Sequence, residues 1–358
     1  MSDQTVVDVD ALARVGESGL YGRFRCEPAD FQVEEVLSHP FDGAGEHLWL
    51  WVEKTGLTTP QAASRLASAC DLPARQIGFA GLKDRHAVTR QWFSVTWPIK
   101  AATPVWPDTP ELRVLAVHRH GRKLKRGAHD ANRFILRVRD VQGLDEFDSE
   151  AAGARVVRDG VPNYFGAQRF GRFGDNVELA RALFAGRRLP RGKRSMALSA
   201  ARSFMFNEVL DARVRDGSWN RAMDGDVFML DGSHSVFRAA DSDEDGASLS
   251  RRVVERDLHP TGPMPGRIGS RSRLPSGDAA VIEDRVLATH PDLCDGLVAA
   301  GVDADRRALR LCVDDWSLAP AGDTLRVQFS LPSGAFATTV LRELGRFVDA
   351  QTEPSTDD

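Results

Sequence analysis

Hydrophobic and polar positions predict several strands in the first part of the chain. Residues 47–53 alternate as a half-buried strand does, and a short apolar run at 77–80 leads into a tight turn. Residues 91–96 are rich in the aromatic and β-branched side chains that favour strands. Residues 112–117 and 134–138 are also predicted strands, and we expect them to form a hairpin or ribbon.

A helix is predicted after the first of these strands. Thr58 is a suitable N-cap, and Pro60 suits the first turn of a helix that runs towards Asp71. The apolar positions of this segment favour one buried face, formed by Ala62, Leu66, Ala69 and Cys70.

Helical spacing becomes common after Gly160. Residues 176–185 and 199–215 have it, and stretches rich in Gly and Pro at 189–192 and 260–275 interrupt the pattern. A chain of 358 residues more often forms two cores than one. We therefore expect a second domain to begin near Gly160.

The C-terminal part returns to a mixed pattern. Residues 325–331 are predicted to form a strand, and residues 336–348 a helix that follows the turn at 332–334.

Composition indicates a globular protein. Apolar residues make up 42% of the chain and charged residues 27%, which is too apolar for general disorder. The chain lacks an apolar run long enough to span a membrane, and its acidic first residues do not resemble a signal peptide. We expect a cytoplasmic protein without a membrane segment. The four cysteines form no Cys-x-x-Cys pair, so neither a metal site nor a disulfide framework is predicted.

Charge is segregated along the chain, although the net charge is only -4. Nine Lys or Arg residues and one acid lie between Arg113 and Arg139, while acids collect at 241–245. Within that basic segment, five cations are candidates for binding nucleic-acid phosphates, with a solvated face as the alternative. They are Arg119, Arg122, Lys123, Lys125 and Arg126.

Two other sets of residues favour ordinary structural roles. The cations at 187–194 are interpreted as an exposed loop. A set of aromatic residues interleaved with Arg169 and Arg172 could stack on bases but is more typical of core packing. That set is Tyr164, Phe165, Phe170 and Phe173.

Most catalytic templates are absent from the sequence. It contains no phosphate-binding loop, no H-E-x-x-H, no G-x-S-x-G and no zinc-deaminase signature. What remains is Asp84, which lies between Lys83 and Arg85 in the predicted turn. Neighbouring cations would keep its carboxylate ionised and available as a nucleophile, whereas an Asp in a turn is otherwise structural.

Five segments in a fixed order then resemble one family. Residues 79–91, which contain Gly81-Leu-Lys-Asp84, are similar to the catalytic motif of the TruD-type tRNA pseudouridine synthases, and Asp84 matches the nucleophile of that motif. The other matching segments are 27–35, 161–171, 197–207 and 331–344.

The resemblance implies an α+β protein with the pseudouridine-synthase fold, an extended, mixed and largely antiparallel sheet with flanking helices. The catalytic domain would be discontinuous, with residues 1–158 and 311–358, and the family's insertion domain would occupy 159–310. RNA would bind in a cleft between the two.

The resemblance also implies a substrate pocket beside Asp84. Phe31, Asn132, Phe134 and Phe336 match its positions, and Lys83 is assigned to substrate binding with them. The three Phe residues could instead fill the core, and Asn132 could cap a turn.

This chain departs from the family pattern at two positions. Arg25 stands where a Lys is usual, and we expect it to form an ion pair with Asp84 rather than donate a proton. Ala131 replaces a common Gly before Asn132. Most pseudouridine synthases have a Tyr beside the catalytic Asp, whereas this family uses a Phe, and Phe134 is the candidate for that position.

The implied activity is isomerisation of uridine to pseudouridine at position 13 of tRNA, in the D arm. It requires base flipping and no metal or other cofactor. We expect tRNA as the partner, no protein partner and a monomer. The alternatives are a non-catalytic tRNA-binding or chaperone protein and a cofactor-free hydrolase that uses Asp84.

Overall fold

A computed structural model describes residues 7–16, 19–38, 41–171 and 174–351. The chain forms two compact units. We call residues 19–157, 313–337 and 344–351 the sheet unit, and residues 7–16, 158–312 and 338–343 the helical unit. The predicted division at 158/159 and 310/311 remains a prediction, and the short segments 7–16 and 338–343 belong to the helical unit.

The strands are β1 (Tyr21–Phe24), β2 (Phe31–Val36), β3 (His47–Thr55), β4 (Gly78–Phe79), β5 (Val88–Thr96), β6 (Asp108–Thr109), β7 (Leu112–His120), β8 (Ala131–Gln142), β9 (Val161–Pro162), β10 (Val227–Leu230), β11 (Val236–Arg238), β12 (Leu258–Met264), β13 (Asp305–Ala308), β14 (Arg310–Leu311), β15 (Asp314–Ala321), β16 (Thr324–Pro332) and β17 (Arg346–Asp349).

The α-helices are α1 (Thr59–Ser68), α2 (Ser149–Asp159), α3 (Asn176–Phe184), α4 (Arg191–Arg215), α5 (Gly246–Val254), α6 (Gly277–Leu287), α7 (Pro291–Ala299) and α8 (Ala337–Arg342). Over the residues that the structure describes, none of these helices is both long enough and apolar enough to cross a membrane.

A mixed sheet forms the sheet unit. In the described part of the chain it has eleven strands, with the order β15-β16-β8-β2-β5-β3-β7-β6, while β1 pairs with both β8 and β17 and β4 pairs with β5. The pairs β2–β5 and β1–β17 are parallel, and the remaining pairs are antiparallel. The predicted fold class, α+β with a mixed and largely antiparallel sheet, is confirmed.

The predicted hairpin of 112–117 and 134–138 is wrong. Both segments are strands, β7 and β8, but β2, β5 and β3 lie between them in the sheet. The pairing partner of β7 is β3, and those of β8 include β2 and β16. The basic segment that joins β7 to β8 therefore crosses three strands instead of closing a tight turn.

Helix α1 covers part of one sheet face. It begins where predicted, since the Thr58 hydroxyl accepts a hydrogen bond from the Gln61 N–H and Pro60 occupies the first turn. Its buried residues pack on Leu50, Val52 and Phe93 of β3 and β5. Among the predicted positions Ala62, Leu66 and Cys70 are buried, whereas Ala69 is half-buried.

The predicted helix at 336–348 is too long. Helix α8 ends at Arg342, and residues 346–349 form β17 parallel to β1. A Cβ on Gly345 would lie only 2.7 Å from the carbonyl oxygen of Leu20, so glycine is needed where the chain approaches the residue before β1. The N–H of Arg346 then donates to that same carbonyl at 2.9 Å.

In the helical unit, α4 begins at Arg191, eight residues before the predicted start, with Pro190 as its N-cap residue. The Pro-rich stretch at 260–275 was predicted to be a break, but its first residues belong to β12. Proline lacks an N–H yet still accepts, and the Pro260 carbonyl bonds the N–H of Leu309 at 2.9 Å.

The core interpretation of the aromatic set is confirmed for its described members. Tyr164, Phe165 and Phe170 are buried. Phe173 and Arg172 lie outside the described residues.

Replacing Arg213 tests the core of the helical unit. Its guanidinium donates to both carboxylate oxygens of Asp226, at 2.8 and 3.1 Å, and neither side chain is more than 2% exposed. Arg213→Leu should lower the free energy of unfolding by about 3–5 kcal/mol, because Asp226 would stay buried without its cation. Arg215→Ala, which removes an exposed pair with Asp211, should lower it by at most about 1 kcal/mol. Urea denaturation measures both, and equal losses would contradict the assignment.

Candidate active site

Asp84 lies in the loop between β4 and β5, as predicted. Its side chain is exposed. Among the described residues, the carboxylate of Asp84 accepts no hydrogen bond and forms no ion pair. The structure therefore presents an unoccupied carboxylate on a short loop.

Lys54 anchors the backbone of this loop to the sheet. It is the eighth residue of β3 and is fully buried. Its ammonium donates to the carbonyl oxygen of Leu57 at 2.7 Å and to that of Asp84 at 2.9 Å. Two backbone carbonyls thus compensate a charge that burial would otherwise disfavour.

The charge of Lys54 also responds to its surroundings. The pKa of this lysine is lowered to about 8, mainly by burial; the nearby carboxylate of Asp84 opposes the shift, and Lys83 adds to it. Lys54 is therefore the cation that the structure places next to Asp84. It was not among the predicted site residues.

Side chains of α1 and β5 fix the other end of the loop. The hydroxyl of Thr59 accepts from the N–H of Lys83 at 2.9 Å and donates to the side-chain oxygen of Gln91 at 2.9 Å. The amide of Gln91 donates in turn to the carbonyl of Gly81 at 3.3 Å. The loop is therefore anchored to both the helix and the sheet.

Lys83 lies in a buried ion pair. Its Nζ lies 2.6 Å from Oε1 of Glu35, and the two side chains are 6% and 0% exposed. The second oxygen of Glu35 accepts from the N–H of Trp92 at 2.9 Å. Lys83 was predicted to bind substrate, but in this structure Glu35 occupies its ammonium.

Asn132 lies next to this pair on the same sheet face. It pairs in register with Glu35 of β2 and Leu331 of β16. Its Nδ2 lies 3.4 Å from Nε2 of His129, and both residues are buried. The side-chain oxygen of Asn132 is buried and has no hydrogen-bond partner within the described chain.

Two of the predicted aromatic residues meet. The rings of Phe31 and Phe134 are 6.2 Å apart and edge-on, and Phe134 also lies 5.5 Å from Phe329. Phe31 and Phe134 are buried, whereas Phe336 is half-buried at the end of the turn after β16. Packing explains the burial of the first two, so their role towards substrate remains a prediction.

The predicted ion pair between Arg25 and Asp84 is not formed among the described residues. Arg25 instead pairs with Asp349 of β17 at 3.1 Å, and its guanidinium lies 5.0 Å from the centre of the Phe31 ring. The parallel pairing of β1 with β17 brings this acid close, which local sequence could not indicate.

The five cations of 119–126 divide into two groups. Arg119 donates to the carbonyls of Trp97 and Pro98, and Arg126 lies 3.7 Å from the centre of the Phe79 ring. The other three are exposed, and none of them pairs with an acid in the described residues: Arg122, Lys123 and Lys125.

The basic segment runs beside the strand that leads to Asp84. The N–H of Gly127 donates to the carbonyl of Ala80 at 2.9 Å, and the N–H of Leu124 donates to the hydroxyl of Ser94 at 2.9 Å. The cations therefore follow the backbone that enters the Asp84 loop.

Comparison with known proteins identifies the family. The model of the family "tRNA pseudouridine synthase D (TruD)" matches residues 12–183 and 175–344. The chain belongs to this family.

Relatives support the assignment over nearly the whole length. The chain is 48% identical to the tRNA pseudouridine synthase D of Pseudomonas entomophila over 326 residues, which is 90% of each chain. It is 45% identical to that of Methylococcus capsulatus over 354 residues, 97% of each. A crystal structure from Methanosarcina mazei described as a TruD protein shares the fold with a TM-score of 0.71, at 20% identity and 96% coverage of each chain.

One group in the helical unit of this TruD family member has the residue types of a metal site. Potential ligand atoms of Asp231, His259 and Cys312 lie within 4.8 Å of one another. However, Arg310 donates to Nδ1 of His259 at 3.1 Å, so the ring proton lies on Nε2, 2.7 Å from Asp231. Both ring nitrogens are thus engaged, and the group is explained as a polar network in which the buried His259 links Arg310 to the exposed Asp231.

Sequence patterns contained signals for the missed residues. Lys54 follows Leu48, Leu50 and Val52 at every second position of β3, so it continues the buried side of the strand. A lysine in phase with buried residues is uncommon and indicates a specific partner. Glu35 carried the same signal, since it follows the buried Phe31 and Val33 at every second position of β2. His129 carried a weaker signal, because it lies in a loop beside the exposed Asp130.

Replacing Lys54 by Met tests its charge. Since burial lowers the pKa of Lys54 from 10.5 to about 8, the unfolded chain binds more protons between these values. The free energy of unfolding should therefore rise with pH in this window, by about 1–3 kcal/mol. Lys54→Met should lack that rise, whereas Lys100→Met, at an exposed position, should keep it. Urea denaturation across the window measures the effect, and an unchanged rise in Lys54→Met would contradict the assignment.

Proposed function

We propose that the protein isomerises uridine to pseudouridine in tRNA, at position 13 of the D arm, with Asp84 as the nucleophile. The observation that carries the proposal is the carboxylate of Asp84, which has no partner among the described residues and lies on an anchored loop, in a chain that matches the TruD family model along most of its length. The names of the relatives support tRNA as the substrate.

The reaction begins when the target uridine leaves the base stack. An aromatic ring of Phe134 or Phe336 can stack on the flipped base, and Asn132 can bond its polar edge. Phe31 packs against Phe134 and supports its position.

Asp84 then attacks either the uracil ring or C1′ of the ribose. The bond between C1′ and N1 breaks, the ring rotates, a bond forms between C1′ and C5, and the bond to Asp84 breaks so that its carboxylate is regenerated. The C5 proton is lost and N1 gains a proton, so the atoms of the nucleotide are conserved. The buried ammonium of Lys54 on β3 donates to the backbone carbonyl of Asp84 and so supports the position of the loop.

We further propose that the protein acts as a monomer in the cytoplasm. Arg25 would act indirectly, because its guanidinium holds Asp349 and covers Phe31.

Replacing Asp84 by Asn tests the nucleophile. Asp84→Asn keeps the size of the side chain but removes its negative charge, so pseudouridine formation should fall at least ~1000-fold while tRNA binding persists. Asp145→Asn, an exposed acid of the same sheet unit, should remain fully active. Pseudouridine mapping of tRNA measures the product, and a tRNA with cytidine at position 13 tests the site.

The outcomes separate the alternatives. Unchanged pseudouridine yield in Asp84→Asn would reject the nucleophile assignment. Absence of product from the wild-type protein together with tRNA binding would favour a non-catalytic tRNA-binding or chaperone protein. Release of free uracil would indicate a hydrolase, because isomerisation leaves the RNA mass unchanged.

The exposed cations are proposed to bind tRNA phosphates. Replacing Arg122, Lys123 and Lys125 by Ala should weaken binding and reduce the slope of log K against log salt by about 2 to 3, since each phosphate contact releases counterions. A triple replacement of the exposed Arg251, Arg271 and Arg285 provides a charge-matched control. Titrations at several salt concentrations measure the slope. The same slope in both triple variants would assign the cluster to a solvated face.

A further inference from the structure

His129 and Asn132 form an isolated buried pair beside the Asp84 loop. Nε2 of His129 lies 3.4 Å from Nδ2 of Asn132, and the residues are 6% and 8% exposed. An amide nitrogen can only donate. With the amide in this orientation Nε2 accepts, so a neutral ring carries its proton on Nδ1, which is buried and has no hydrogen-bond partner in the described chain.

The opposite side of the Asn132 amide is unsatisfied. Its oxygen is buried without a hydrogen-bond partner in the described chain. Buried carbonyl oxygens are rarely left unpaired, and an exception calls for a partner that the chain itself does not supply. In a uridine-modifying enzyme the complementary group is the N3–H of uracil, whereas N3 of cytosine carries no hydrogen.

We propose that His129 is a positioning residue that orients the Asn132 amide, so that its oxygen is available to accept from N3–H of the target uracil. This inference rests on the proposed function and concerns how that site distinguishes uracil from cytosine. Asn132 would contact the base, and His129 would act through Asn132.

The charged groups around His129 favour the neutral ring. A Cβ on Gly81 would lie 3.2 Å from both Cε1 of His129 and Nζ of Lys83, so the ammonium is close to the imidazole. Burial lowers the pKa of His129 and Lys83 lowers it further, while Glu35 and Asp130 oppose the shift. Because the Lys83–Glu35 pair is itself buried and nearly neutral overall, burial dominates.

Protonation of His129 would reverse the orientation. A second N–H on the ring would face the N–H of the Asn132 amide, and two donors repel. The amide would then turn its oxygen to His129 and its nitrogen to the base, which no longer matches N3–H. Activity should therefore fall as the pH drops through a His129 pKa below 6.5.

Two substitutions separate positioning from packing. His129→Gln supplies an oxygen acceptor at similar reach and does not titrate near neutral pH. His129→Phe fills the space of the imidazole ring without providing an acceptor. His234→Gln, at an exposed histidine of the helical unit, serves as the control.

The measurement is kcat/KM for pseudouridine formation from about pH 5 to pH 8. Wild type and His234→Gln should show the loss at acid pH. His129→Gln should retain most of the activity at neutral pH, and its kcat/KM should no longer decrease at acid pH. His129→Phe should lose about tenfold at neutral pH, the effect of one hydrogen bond, with little dependence on pH. Thermal melting of each variant reports folding separately.

A spectroscopic measurement does not depend on activity. In protein labelled with 15N-histidine, the signal that is lost in His129→Gln should show a neutral ring with its proton on Nδ1 at neutral pH. The proposal would be overturned by a proton on Nε2 or by a charged ring at neutral pH. It would also be overturned if His129→Gln still lost activity at acid pH. If the wild-type protein forms no pseudouridine, the proposed function itself fails. If the wild type is active but His129→Gln still loses activity at acid pH, only the role of His129 is rejected.

Discussion

One buried ammonium ties the Asp84 loop to the sheet. Lys54 lies on the buried side of β3, where a charge is unfavourable unless it is compensated, and the carbonyls of Leu57 and Asp84 compensate it. These carbonyls belong to the turn before α1 and to the loop after β4. A single side chain therefore sets the separation of the two segments, and the carboxylate of Asp84 is presented from a restrained backbone although it has no partner of its own among the described residues.

The rest of the site is built on the same sheet face. Glu35 and Asn132 are cross-strand neighbours on β2 and β8, and each holds a partner from a loop, Lys83 and His129 respectively. Polar groups in a buried environment interact more strongly than in water, and an incomplete network is correspondingly unfavourable. Within the described chain this network leaves two buried atoms without a partner, the side-chain oxygen of Asn132 and Nδ1 of His129, and the oxygen is the one that can accept from a bound base.

Parts of the site could be predicted from sequence because they depend on neighbouring residues. The loop of Asp84 follows from an apolar run, a glycine turn and a second strand, all within twenty residues. The partner of Arg25 could not be predicted, because Asp349 is 324 positions away and approaches only through the parallel pairing of β1 and β17. The prediction that β7 and β8 pair failed for the same reason, since they are neighbours in sequence but not in the sheet.

The sequence by itself determined the class of fold, part of the helices and strands, the family, and Asp84 as the candidate nucleophile. Alternation, helix capping and motif order are recorded in short stretches of chain, so they can be recognised without coordinates. Only the tertiary structure decided that Lys54, rather than Arg25, is the cation next to Asp84, and that Lys83 forms an ion pair with Glu35. Those choices depend on which strands pair and in what register, and the stabilisation that selects one pairing comes from side chains that are distant in the sequence.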